Sequence, residues 1–167
     1  MAELMPQERL QPSLLDRLTD LDPAQREESR EQRVITAARL REYVTRDIGW
    51  LLNCIRQWDD EELTGFAHVS RSVLNFGIPD LAGAALSGID AAALQNRIRS
   101  ALLDFEPRLI ASTVQVSVEV DEARMDSRSL RFVIEADMWA QPMPLALYLR
   151  TDVDLETGEF HVSQRLG

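Results

Sequence analysis

Apolar residues recur along this chain with two different periods, and the change from one to the other divides it. Over residues 34–57, VITAARLREYVTRDIGWLLNCIRQ, the positions Leu40, Val44, Ile48, Leu51, Leu52 and Ile55 follow one another at three- and four-residue steps. That spacing predicts a helix with one apolar stripe. Arg39, Arg41, Glu42, Arg46 and Asp47 lie mostly off the stripe. Gly49 costs a helix interior about 1 kcal/mol against Ala, which points to close packing by another element or to a glycine tolerated without purpose. Trp58, followed by Asp59-Asp60-Glu61-Glu62, marks the expected helix end and a solvated loop.

A second helix is expected over AAALQNRIRSALLDF, with Asp90 as its N-cap. Leu94, Ile98, Ala101, Leu102 and Phe105 give it an apolar face. Pro107 disfavours α geometry at Glu106, so the helix should stop there and an extended segment follow. Between the two helices, SRSVLNFGIPDLA (70–82) reads as a short helix or turn and then a break. Gly77 is free to take positive φ, and Pro79 pushes Ile78 toward an extended conformation. Ser87-Gly88 breaks the chain again.

Beyond residue 110 the period falls to two. Val114, Val116, Val118 and Val120 alternate with polar residues, as do Leu130, Phe132, Ile134, Ala136 and Met138. Leu145, Leu147, Leu149, Thr151 and Val153 form a third run, and Phe160 with Val162 a fourth. Glu156-Thr157-Gly158-Glu159 reads as a hairpin turn. Short gaps favour antiparallel neighbours. The fold class is α+β: N-terminal helices packed on one face of a C-terminal antiparallel sheet of about four strands. Residues 34–167 form one domain. Residues 1–33 form an N-terminal segment in which Leu10, Leu14, Leu15 and Leu18 cluster ahead of a polar linker. Such a tethered apolar turn either folds back on its own domain or docks on a partner, and the residues leave both readings open.

Composition narrows the function. The 167 residues carry a formal net charge of −10, and every one of the 18 basic residues is Arg. An acidic chain is a poor phosphate-backbone or anionic-membrane binder, so no nucleic-acid partner and no membrane insertion are expected. Without lysine there is no Schiff-base or general-base lysine. Cys54 is alone, and His68 and His161 are far apart without ligand-like spacing, so no metal or other cofactor is expected. The start MAELMPQERL lacks the features of a signal peptide, and a cytoplasmic location is expected. There is no glycine-rich phosphate loop and no GxSxG elbow. Asp59–Glu62 and Asp152-Asp154-Glu156 read as solvated acidic runs rather than cation sites.

One carboxylate stands out. Glu106 sits where a helix C-terminus meets Pro107 and Arg108. A negative charge is disfavoured there, so something cationic should compensate it. A neighbouring guanidinium lowers a carboxylate pKa, which is wrong for a general acid. An ion pair or a docking role therefore ranks ahead of catalysis.

Taken together, SLLDRL (13–18), DIGWLLN (47–53), SVLNFGIPDL (72–81), FEPRL (105–109) and DLETGEFHV (154–162) resemble the TssE family. These are baseplate subunits of bacterial type VI secretion systems, related to a phage tail baseplate wedge protein with an old lysozyme-like label. The family pattern usually continues LLN with Thr-Arg; here Cys54-Ile55 follow. The resemblance implies a structural protein, not an enzyme. The implied partners are the wedge subunits TssF, TssG and TssK and the contractile TssB–TssC sheath. Its sheet would be similar to the handshake domain of sheath subunits, so that strands can add to it. Glu106, Pro107 and Arg108 are then expected at the contact with the wedge core. Leu14, Leu15 and Leu18 are expected as a second docking element. Two alternatives stay open: a muramidase with Glu106 as general acid, and a cytosolic adaptor of the same fold.

Overall fold

A computed structural model describes residues 13–19, 35–59, 61–82, 90–119, 129–140 and 143–164. Leu10, the polar linker after residue 19 and the Ser87-Gly88 break lie outside the described residues. The elements are α1 (Leu14–Leu18), α2 (Ala37–Leu52), α3 (Ala67–Ser70), a 3₁₀ turn (Val73–Asn75) and α4 (Ala91–Phe105). Then come β1 (Gln115–Glu119), β2 (Ser129–Met138), β3 (Leu145–Asp154) and β4 (Phe160–Gln164). The fold is α+β, as the two periods predict.

The strands form one antiparallel sheet in the order β1-β2-β3-β4. Its register sets Val116 against Ile134, Ile134 against Leu149 and Thr151 against Val162. Because side chains alternate along a strand, Phe132, Ile134, Ala136 and Met138 share one face with Leu147, Leu149 and Val153, and all are buried. Helices α2 and α4 cover that face, α2 against β4 and β3, α4 against β1. Val44, Ile48, Leu52, Ile98 and Leu102 complete the core. β1 and β4 are the two edges of the sheet.

Local chemistry sets most boundaries. Thr36 caps α2 by accepting from the Arg39 N–H at 3.2 Å. Asp90 caps α4, accepting from Ala92 and Ala93 N–H at 3.0 Å each. α4 ends at Phe105, as Pro107 requires. In the β3–β4 hairpin, Asp154 Oδ1 accepts from Glu156 N–H at 2.7 Å, and Gly158 takes φ +76°.

Three expectations need correction. The helix expected over 34–57 stops at Leu52, and Ile55 is 62% exposed rather than part of the apolar stripe. The cause is tertiary. Asn53 turns its side-chain amide onto the backbone of β4, donating to Phe160 O and accepting from Phe160 N–H at 2.9 Å each. Cys54 and Arg56 are drawn into backbone bonds with Ile78, both 2.9 Å, making a parallel bridge beside Ile55. Second, Gly49 is not crowded: a Cβ there would meet nothing within 4 Å. Third, the backbone after Glu106 turns instead of running extended, with Leu109 N–H reaching Glu106 O at 3.2 Å. Only then does Leu109 pair with Met138 at the end of β2.

Candidate functional site

The turn after α4 carries Glu106, Pro107 and Arg108. Glu106 caps the helix C-terminus and is only 5% exposed. Its carboxylate is held by Arg108 through two parallel bonds, Nε to Oε1 at 2.7 Å and Nη2 to Oε2 at 2.5 Å. The Arg108 backbone N–H adds a third at 3.1 Å. A bidentate carboxylate–guanidinium pair is strong and fixed in orientation. It supplies the cation that the helix C-terminus calls for. Pro107 lies exposed at the tip of the turn.

The pair does not end there. Arg108 Nη2 also donates to Asp47 Oδ2 at 2.6 Å. Asp47 Oδ1 accepts from Arg46, Nε at 2.8 Å and Nη2 at 2.7 Å. Arg46 Nη2 then reaches Asp16 Oδ1 in α1 at 2.8 Å. Asp16–Arg46–Asp47–Arg108–Glu106 is therefore one continuous chain of charges linking α1, α2 and the turn after α4. The guanidinium of Arg46 lies over Trp50 at 4.7 Å and over Tyr43 at 5.1 Å, which adds cation–π attraction.

Electrostatics follow from this geometry. Burial works against the charged form of Arg108. Hydrogen bonds and attraction from Glu106, then from Asp47, outweigh it and raise the pKa above the ordinary arginine value. Burial likewise pushes the Asp16 pKa up, but the hydrogen bond from Ser13 and the pairing with Arg46 win, so it lies below the ordinary aspartate value. Asp16 also closes a capping box, its Oδ2 accepting from Ser13 Oγ at 2.6 Å and from the Ser13 N–H at 3.3 Å.

Of the site residues expected from sequence, Glu106 and Arg108 are paired with each other. Leu14, Leu15 and Leu18 are separate from them, on the surface of α1, at 72%, 47% and 75% exposure. α1 is tied to the domain by its aspartate and presents its leucines to solvent. Sequence reasoning missed Asp16, Arg46 and Asp47 as members of the site. The available sign was their place inside SLLDRL and beside DIGW; the polar face of a helix gave no hint that they converge.

The arrangement is poorly suited to proton donation. A general acid must present its carboxyl to a substrate, whereas both carboxyl oxygens of Glu106 accept from the Arg108 guanidinium. Among the described residues no group of His, Cys, Asp and Glu could hold a metal ion. His68 and His161 are exposed on α3 and β4. Among the same residues no helix is long and apolar enough to cross a membrane.

A family model described as baseplate wedge protein gp25 matches residues 38–143, more than half of the chain. The chain belongs to the baseplate wedge protein gp25 family. Membership supports a structural role in a baseplate. The gp25-family match spans α2, α4, β1 and β2, and so contains Arg46, Asp47, Glu106 and Arg108. Asp16 lies outside it, as do β3 and β4. No curated protein and no solved structure matches the chain.

Proposed function

We propose that this gp25-family protein is the TssE-like subunit of a bacterial type VI secretion baseplate, joining the wedge to the contractile sheath and helping to nucleate sheath assembly. The observation that carries the reading is the convergence of SLLDRL, DIGW and FEPRL on one chain of charges. Three of the motifs that make the sequence resemble TssE thereby build one corner of the surface.

In this reading the corner meets the wedge subunits TssF, TssG and TssK. Pro107 and the exposed part of Arg108 make the contact, while buried Glu106 fixes the guanidinium in place. Leu14, Leu15 and Leu18 offer the wedge an apolar handle beside it. A strand from TssB–TssC adds to an edge of the sheet, at β1 or β4, through main-chain bonds. The protein works in the cytoplasm as a connector and catalyses nothing.

The test is affinity purification from the native cytosol, read by mass spectrometry, with wild type beside L14S/L18S and R108A. Wild type should recover wedge and sheath subunits, and both variants, still folded, should lose the wedge subunits. Full recovery with both variants would refute the corner as a contact. Absence of these subunits with wild type would refute the baseplate reading. Turnover of purified peptidoglycan, abolished by E106Q, would put the muramidase reading in its place.

A further inference from the structure

The stretch 72–79, SVLNFGIP, is fixed at several points and still leaves two aliphatic side chains in water. Asn75 is 3% exposed, and its Oδ1 accepts from the Trp58 N–H at 3.0 Å. Phe76 meets Phe105 edge to face at 5.2 Å. Gly77 takes φ +119°, where a Cβ would overlap the Cys54 carbonyl. Ile78 is clamped to Cys54 and Arg56 by two backbone bonds. Ahead of these anchors, Val73 is 82% and Leu74 65% exposed. Single exposed aliphatics are ordinary. Two adjacent ones on a backbone held this firmly form a preorganised contact, because burying them costs little ordering entropy.

Residues on both sides of Val73 and Leu74 line a cleft of about 240 Å³ between this stretch and α4. Arg56, Arg71 and Arg97 line it, and the one acid in its wall, Asp104, engages Arg71 at 2.7 Å. Arg71 and Arg97 are exposed. In a chain of net charge −10, this cleft sets two exposed guanidiniums, Arg71 and Arg97, beside a single lining carboxylate, which favours acidic groups on whatever meets it.

We propose that this surface docks an acidic, aliphatic-bearing segment of another protein. The aliphatic residues of that segment cover Val73 and Leu74, and its carboxylates meet Arg71 and Arg97. The surface shares no residue with the charge chain, so the proposal stands or falls independently of the baseplate reading.

The experiment is selection of a random peptide display library on the full chain, run in parallel on V73S/L74S and R71E/R97E. Sequencing of the wild-type pool should show acidic residues enriched next to aliphatic ones. Those peptides, resynthesised, should bind at least tenfold more weakly to each variant. R71E/R97E should instead enrich arginine- and lysine-bearing peptides. The four side chains are exposed, so circular dichroism should show all variants folded; R97E alone serves if a double variant is not. Pools that do not differ between wild type and folded variants would overturn the proposal. So would a single-stranded oligonucleotide that binds wild type and is lost with R71E/R97E while no acidic peptide is enriched.

Discussion

At the turn after α4, Glu106 is 5% exposed; at the turn after α3, Val73 is 82% exposed. The first turn takes charge out of water and the second leaves apolar surface in it. Both arrangements are unfavourable in isolation, and they are compensated differently. Glu106 finds Arg108, and Arg108 finds Asp47, so the cost of burying the carboxylate is offset inside the chain. Nothing comparable covers Val73 and Leu74 among the described residues. The charged corner is therefore part of what holds the domain together, whatever else it touches. The aliphatic pair contributes little to the fold and is free to serve a contact. Stability measurements should separate the two turns, and the backbone that carries the aliphatic pair should separate from the pair itself.

The largest effect should come from that backbone. Gly77→Ala forces a Cβ at φ +119° into the Cys54 carbonyl. Strain and overlap together should cost about 3 kcal/mol or more in urea unfolding. A loss under about 1 kcal/mol would mean the clamp to Cys54 is not a fixed feature. Next comes E106A, which among the described residues leaves Arg108 with Asp47 as its ionic partner. Breaking a buried pair costs about 3–5 kcal/mol. The Arg108 side chain as a whole keeps 24% exposure, so about 2–3 kcal/mol is expected here. The E106A/R108A double variant should lose less than the sum of the single losses. Strict additivity would show that the two residues are not coupled.

Much of this architecture is legible in the sequence, and the illegible parts share a cause. The strands announce themselves because Phe132, Ile134, Ala136 and Met138 must all face one way. Asp90 and Pro107 bracket α4 through chemistry that acts within a few residues. The end of α2 carries no such local signal. It is decided by Phe160 and Ile78, far along the chain, which claim the groups of Asn53, Cys54 and Arg56. The same holds for the site. Glu106 and Arg108 are two residues apart and could be read as a pair. Asp47 and Asp16 join them only after α1, α2 and α4 have been brought together.

The charge chain should also have an acid limit at its α1 end. Asp16 has a folded pKa below its ordinary value. Its contribution is therefore fully present above the unfolded value of about 3.9 and is lost as pH falls through the lower folded value. Between about pH 5 and 8 the link between α1 and Arg46 should not respond to pH. Carboxyl carbon NMR should place the Asp16 midpoint below those of exposed aspartates, and R46A should move it upward. D16A, which removes the capping box as well as the link, should cost about 1 kcal/mol. An Asp16 midpoint at or above the ordinary value would detach α1 from the charge chain.

The smallest effect is the most informative for the second turn. V73S/L74S removes two aliphatic side chains that are 82% and 65% exposed, while the anchors at Asn75, Gly77 and Ile78 stay in place. Surface changes away from caps, cavities and buried networks shift stability by about 0.5 kcal/mol or less. The urea midpoint should therefore stay within that range, against about 3 kcal/mol for Gly77→Ala a few residues away. A loss of 2 kcal/mol would show the pair covered by another part of the chain, and the turn would then be a core element like the corner. Unchanged stability together with lost peptide binding would leave a different assignment. The rigid backbone belongs to the fold, and the two side chains it holds in water belong to a partner.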